Sequence, residues 1–508
     1  MTQGKDLILA IDQGTTGSTC LLVNHEFEVL AKSTHEFPQH FPKPGWVEHG
    51  PHELYASVLE TIASVIGKSG IDTSRIGAIG ITNQRETSLI WSRSNTEAIH
   101  RAVVWQDRRT ASMCEALTKR GAAERVRSVT GLVLDPYFSG TKLSWMLDHV
   151  SGAREAAAAG ELAAGTIDTY VLWRLTDGGV HKTEPSNACR TMLWPLAGGG
   201  WSEEMSELLD VPLSILPEVV PCTSVFGETR NVPGLPDGIP ICGIAGDQQA
   251  ALFGQACFEP GQAKCTYGTG AFAVLNTGDK AVQSEHGLLT SVAWQIGKET
   301  TYCLEGSSFM AGAVVQWLRD QMGFIEQASD IEALASQVED SGGVVLVPGH
   351  AGLGAPHWRP HARGLIRGIT RGTGRGHIAR AALEGIALQI GDLISAMAAD
   401  YASELPSEAS GRIDGRPLEL LRVDGGAAAN DLLMQIQADV LGLRLERPTM
   451  LEATALGAIS LAALGSGMFS DLEGMKAAWQ CDRAFEPGGD DGRIEALKKA
   501  WAEAIAAA

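Results

Sequence analysis

Apolar positions along this chain alternate between two rhythms. Residues 7–11 form an unbroken apolar run that meets a turn at Gly14, the pattern of a buried strand. Residues 21–23 and 28–31 fit strands returning antiparallel beside it. From 52 to 68 the period lengthens to that of a helix, with Leu54, Val58, Leu59, Ile62, Val65 and Ile66 on one face and Pro51 at its start. A second buried strand is expected over 76–82 and a helix over 141–150, its Leu143, Met146, Leu147 and Val150 turned inward. Strands alternating with helices predict an α/β domain.

The pattern then restarts. Residues 263–275 read as strand, glycine turn, strand, and 291–304 as a further hairpin. Helices are expected over 309–322, 377–400 and 431–442, with a buried strand at 420–423 between the last two. Each half opens with a strand, a Gly-Thr turn and a second strand, as Asp12-Gln13-Gly14-Thr15-Thr16-Gly17 and as Tyr267-Gly268-Thr269-Gly270. A chain of 508 residues is too long for one core. Two α/β domains are therefore expected, 1–254 and 255–508. The stretch 406–417, polar and rich in turn formers, reads as a surface loop.

Composition narrows the function classes. A net charge of −20 argues against nucleic acid or an anionic membrane as the main partner, since both select a basic face. It leaves room for a phosphate ligand held by local N–H groups. Nine dispersed cysteines without a Cys-x-x-Cys pair suggest reduced thiols in a cytoplasmic enzyme. The N-terminal apolar run is too short for a signal or an anchor, and no stretch reads as long enough to span a bilayer.

Four clusters carry candidate chemistry. The two Gly-Thr turns can clamp phosphate, because glycine admits an anion close to converging N–H groups and the Thr15, Thr16 and Thr269 hydroxyls can donate; a plain hairpin is the alternative. Asp12, at the mouth of the first turn, suits Mg²⁺ held through water or merely a turn. Gly67-Lys68-Ser69 is not a P-loop, since Ile62 stands where the first glycine belongs. Arg85 and Glu86 follow the strand at 76–82, where ligands of open α/β sheets bind, and pair a forked donor with an acceptor suited to neighbouring hydroxyls. A solvated turn with an ion pair would look the same. Asp247 and Gln248 follow the apolar stretch 239–244 and fit either a helix cap or the acceptor of a hydroxyl proton. Gly425 and Gly426, with Asn430, offer exposed backbone to a flat ring or a simple strand-to-helix turn.

Read together, DQGTTGS (12–18), GITNQRET (80–87), VVWQDRRT (103–110), AGDQQAALFGQ (245–255), TYGTGAF (266–272) and RVDGGAAAND (422–431) resemble the FGGY family of carbohydrate kinases. Two family signatures also fit, at 137–149 and 364–384. The resemblance implies two ribonuclease-H-like domains of the actin-like ATPase fold, flanking a deep catalytic cleft. It implies transfer of the γ-phosphoryl group of ATP to glycerol, with another small polyol or ketose as the alternative acceptor; an actin-like ATPase is a more distant reading. By that resemblance Arg85, Glu86, Tyr137, Asp247 and Gln248 would bind the polyol hydroxyls, and Trp105 and Phe272 would wall its carbons. Asp247 would be the general base, and Asp12 with Asp247 would organise Mg²⁺. ATP would meet Thr15, Thr16, Gly17, Thr269, Gly312, Gln316, Gly426 and Asn430. No nucleic-acid or membrane-inserted partner is implied, and a homo-oligomer, dimer or tetramer, is. Three departures stand out, one being the 406–417 loop, which looks like an insertion relative to the family. Thr19 occupies the place of a usual arginine. The segment 233–238 lacks the arginine with which some bacterial relatives bind a sugar bisphosphate inhibitor, and the histidine phosphorylated in others, so neither control is expected.

Overall fold

The computed structural model describes residues 4–359, 361–404, 418, 420–489 and 492–508. The loop expected at 406–417 lies outside the described residues.

The first sheet runs in the order Gly227–Glu228, Pro240–Gly246, Ile76–Asn83, Leu7–Gln13, Gly17–Asn24, Val29–Glu36. Its central strand, Leu7–Gln13, pairs antiparallel with Gly17–Asn24 and parallel with Ile76–Asn83, which is parallel in turn to Pro240–Gly246. The register sets Gln13 beside Asn83, and Asn83 beside Gly246, so three parallel strands end on one line. Whatever follows those strands is gathered at one edge. Strand alternation splits the central strand between two layers. Leu7, Leu9 and Ile11 meet the apolar stripe of the helix Pro51–Ser69, whereas Ile8 and Ala10 face the helix Ala453–Gly465. Pro51 in the first turn opens the former helix, as the sequence anticipated, and Gly70 at φ 61° closes it.

The second sheet runs Leu289–Ile296, Glu299–Ser308, Ala271–Gly278, Ala263–Tyr267, Leu421–Asp424, Leu445–Pro448, Cys481–Phe485. It repeats the plan: Ala263–Tyr267 pairs antiparallel with the next strand and parallel with Leu421–Asp424. Helices Gly312–Asp320, Arg375–Ser403 and Asp431–Leu441 lie near their expected bounds. Arg375–Ser403 is, by length and composition, apolar enough to cross a membrane, but 83% of its most apolar window is buried inside the protein. It is the spine of the second core.

Two features had no periodic signal. A sheet of five strands, Gln39–His40, Glu48–His49, Ala102–Val103, Ser88–Ser92 and Leu162–Thr166, includes three of only two residues. Such pieces are too short to show a period. The helix Ala453–Gly465, late in the chain, packs on the first sheet rather than the second, over a surface of glycine and alanine. A Cβ on Gly457 would lie 1.8 Å from the carbonyl oxygen of Ala250, and one on Gly80 would lie 2.2 Å from that of Ala458. Only glycine permits this approach.

Candidate active site

The line of strand ends defines the site. After Gln13 comes the first Gly-Thr turn, closed by a bond from the Gly14 N–H to the Gly17 carbonyl at 2.9 Å. After Asn83 come Arg85 and Glu86; after Gly246 come Asp247 and Gln248, opening the helix Asp247–Gly254. Parallel register brings these three segments together. The Arg85-Glu86 cluster, left open in the sequence as a solvated turn, is in fact buried: Arg85 is 3% exposed and Glu86 2%.

Glu86 takes φ 59°, a left-handed conformation that costs a non-glycine residue about 1 kcal/mol or more. Its carbonyl accepts from the hydroxyls of Ser88 at 2.7 Å and Ser139 at 3.0 Å, and its Oε1 accepts from Arg190 Nε at 2.6 Å. Arg85 donates through Nη1 to Glu305 Oε2 at 2.6 Å and to Gln249 Oε1 at 3.0 Å. Its Nε lies 3.2 Å from Asp247 Oδ1. Burial opposes the charge on Arg85, yet Glu305 and then Glu86 hold it well above its ordinary range. Burial likewise pushes the Asp247 carboxyl up, against the pull of Arg85 and Lys264.

Asp12 and Asp247 sense one another. Burial, and next the charge of Asp247, push the Asp12 carboxyl up to about 7, with Lys32 as the opposing cation. Thr19, paired with Asp12 across the strands, shares its hydroxyl with Thr34 at 2.9 Å. On the other side, Asp12 pairs with Thr82, whose buried Oγ1 has no hydrogen-bond partner among the described residues.

The apolar wall draws on both halves of the chain. Trp105 meets Tyr137 edge-on with ring centroids 5.6 Å apart, and Phe272 at 6.4 Å. Its indole N–H donates to Thr15 Oγ1 at 3.0 Å, tying the wall to the first turn. Lys142, from the helix Ser139–His149, reaches back to the carbonyls of Pro136, Tyr137 and Phe138 at 2.7, 2.5 and 3.0 Å, fixing the Tyr137 turn.

The second Gly-Thr turn sits under a helix start. The N–H groups of Ala311 and Ala313 donate to the Thr269 carbonyl, and that of Gly312 donates to the Gly268 carbonyl. Gly312 and Gln316 belong to the helix Gly312–Asp320, on which Gln316 is exposed. A Cβ on Gly312 would lie 2.6 Å from the Gly268 carbonyl oxygen. Gly425, at φ 86°, passes equally close to Tyr267, while Gly426 has open space around it. Asn430 caps the helix Asp431–Leu441 by accepting from the Leu433 N–H at 2.8 Å, leaving its amide hydrogens unused by that bond.

The motif reading missed Arg190, Glu305, Lys264 and Glu184. Glu184 accepts from Ser186, Asn187 and Cys222, while Ser186 Oγ accepts from the Gly246 N–H at 2.9 Å and Asn187 exchanges amide bonds with Asn83. It braces two of the three strand ends. Arg190 and Glu305 stand 104 and 220 residues from the residues they hold, so local spacing carried no sign of them. Two cavities, of about 330 and 580 Å³, lie elsewhere and contain none of these side chains.

Two sheets of this topology, each with a Gly-Thr turn at its central strand and a shared polar site between them, define the actin-like, ribonuclease-H-like ATPase fold. The comparisons place the chain within it. Residues 7–254 match the FGGY family of carbohydrate kinases, N-terminal domain, and residues 263–466 its C-terminal domain. The chain is 53% identical over 501 residues to the glycerol kinase of Myxococcus xanthus, covering 98% of both, and 50% identical to that of Carboxydothermus hydrogenoformans, covering 99% of this chain and 98% of the other. A crystal structure of Plasmodium falciparum glycerol kinase with ADP superposes with a TM-score of 0.90 at 33% identity, covering 99% of this chain and 98% of that one. A xylulose kinase from Lactobacillus acidophilus, at TM-score 0.85 and 21% identity, shares the fold. The chain belongs to the FGGY family of carbohydrate kinases, ATP-dependent phosphotransferases.

Proposed function

We propose that the protein transfers the γ-phosphoryl group of ATP to a terminal hydroxyl of glycerol, giving sn-glycerol 3-phosphate and ADP, as the first step of glycerol breakdown. The observation that carries this reading is one constellation: buried Arg85, Glu86 and Gln248 with half-buried Asp247, gathered at the strand ends beside the Trp105, Tyr137 and Phe272 wall. A three-carbon triol offers little else to recognise. Its carbons gain burial against the rings, and a guanidinium, an amide and two carboxylates supply donors and acceptors for its hydroxyls.

Asp247 takes the proton of the attacking hydroxyl as that oxygen bonds to the γ-phosphorus, while the bond to the bridging oxygen breaks and ADP leaves with the electron pair. Burial raises its pKa, and a raised pKa makes the carboxylate the stronger base. Thr15, Thr16 and Gly17 in one turn, and Thr269 in the other, cradle the phosphates; Gly312, Gln316, Gly426 and Asn430 border the nucleotide. Asp12 and Asp247 fit Mg²⁺. They present only carboxylate oxygens, their mutual repulsion asks for a cation, and the orphaned Thr82 hydroxyl suits a metal-bound water. Mg²⁺ bound there would neutralise charge building on the phosphate oxygens.

The working unit is a pair of domains, 1–254 and 255–508, in the cytoplasm, a setting consistent with nine free cysteines of which eight are buried. A kinase assay over a polyol panel, run with Asp247→Asn, tests the reading. Glycerol is expected to be the best acceptor, and the variant to lose about 10²- to 10⁴-fold in kcat while still binding glycerol. Near-normal turnover by the variant would remove Asp247 as base, and preference for a ketose would move the substrate.

A further inference from the structure

Two of the polar groups that the N-terminal half offers to the polyol, Arg85 and Gln248, are held by buried charges from the C-terminal half. Glu305, on the strand Glu299–Ser308, is 4% exposed; it binds Arg85 at 2.6 Å through Oε2 and accepts from Gln249 Nε2 at 2.8 Å through Oε1. The same Oε1 lies 3.5 Å from Arg190 Nη1. Arg190 also donates to Ser291 on the neighbouring C-terminal strand at 3.0 Å, and with its Nε holds Glu86 at 2.6 Å. A chain of alternating charge thus runs Glu86, Arg190, Glu305, Arg85, Asp247. Lys264, on the strand Ala263–Tyr267 and fully buried, donates to Gln248 Oε1 at 2.5 Å and to Thr266 Oγ1 at 2.9 Å.

These bonds fix direction as well as place. An ammonium has only donors, so Lys264 claims the oxygen of Gln248 and leaves its NH₂ for the substrate. Glu305 and Gln249 likewise both accept from Arg85 Nη1, which leaves Nη2 free of both. The pocket then offers donors at Arg85 and Gln248 and acceptors at Glu86 and Asp247. A chain of hydroxyls, each donating once and accepting elsewhere, matches that order.

We propose that Glu305 and Lys264 are positioning residues that set the donor and acceptor order of the polyol pocket from the C-terminal half, so that the pocket is complete only when the two halves meet. The inference rests on the polyol-phosphorylating reading above. Buried charges of this kind hold their partners because losing one leaves the other unpaired in a dry site.

Glu305→Gln, Glu305→Asp and Lys264→Met, assayed in the full chain with glycerol, 1,2-propanediol and ATP, test it. E305Q is expected to raise the KM for glycerol about ten-fold or more, with the KM for ATP within about twofold of wild type; E305D should recover part of the loss. K264M frees the Gln248 amide to turn, and should narrow the preference for glycerol over 1,2-propanediol. Equal changes in both KM values with an unchanged glycerol preference would overturn the proposal, leaving only structural ion pairs. If E305Q does not fold, the preference shown by K264M decides alone. Wild-type protein inert towards glycerol would instead defeat the substrate reading, and the same variants would then be assayed on the accepted polyol.

Discussion

Asp12 lies between Thr19 and Thr82 on the central strand, with a second carboxylate acting on it across the site. A carboxyl raised from 3.8 to about 7 binds its proton more tightly in the folded protein than in the unfolded chain. Its stabilising share is therefore whole below pH 3.8 and is lost as pH rises through about 7. Ionised Asp12 burdens the empty protein at pH 8, and Mg²⁺ with ATP would relieve that burden. Asp12→Asn is expected to stabilise the nucleotide-free protein at pH 8 by about 1–2 kcal/mol, in denaturant titrations. The gap should close near pH 4, and added Mg²⁺ and ATP should stabilise the variant less than wild type. A variant less stable than wild type at pH 8 would show that Asp12 is held by contacts rather than strained by its charge.

At the scale of elements, the helix Ala453–Gly465 decides how the halves meet. It leaves the C-terminal sheet and lies on the N-terminal one, with Ala458 and Ala462 against the strands and Gly457 against the helix Asp247–Gly254. Backbone this close has no room for a methyl group. Gly457→Ala would place its Cβ against the Ala250 carbonyl and should cost about 1–3 kcal/mol through overpacking. Because the helix it would push carries Asp247 at its first turn, kcat should fall as well. Thermal unfolding and turnover measured together check this; a variant with both unchanged would mean that the two helices slide apart freely. The sequence made the helix unreadable as a domain link. Its run of alanine, leucine and glycine has almost no polar face, so nothing in the pattern says which sheet it covers.

Across the whole molecule, the polyol pocket proposed above would draw Arg85, Glu86, Trp105, Tyr137 and Gln248 from one half and Phe272, Glu305 and Lys264 from the other. Such a site is whole only when the halves are together. Water, the competing acceptor of the phosphoryl group, is best excluded when the polyol itself completes the closure. ATP hydrolysis without polyol is accordingly expected to be a small fraction of the rate with glycerol, measured by ADP release. Equal rates would return the protein to the class of actin-like ATPases whose output is not a phosphorylated polyol.

What the sequence determined by itself was local. Unbroken apolar runs marked the central strands, the 3.6-residue stripe at 52–68 marked their covering helix, and glycines before threonines marked the two turns. These depend on neighbours in the chain, and a linear pattern records them. Motif resemblance supplied Arg85, Glu86 and Asp247, and what the structure added was the burial of the first two and the convergence of all three, which parallel register produces by pairing Gln13 with Asn83 and Asn83 with Gly246. Only the tertiary structure decided which partners hold them. Glu305 meets Arg85 across 220 residues and Arg190 meets Glu86 across 104. A charge acts through space, and the separation of its partner along the chain leaves no period to read.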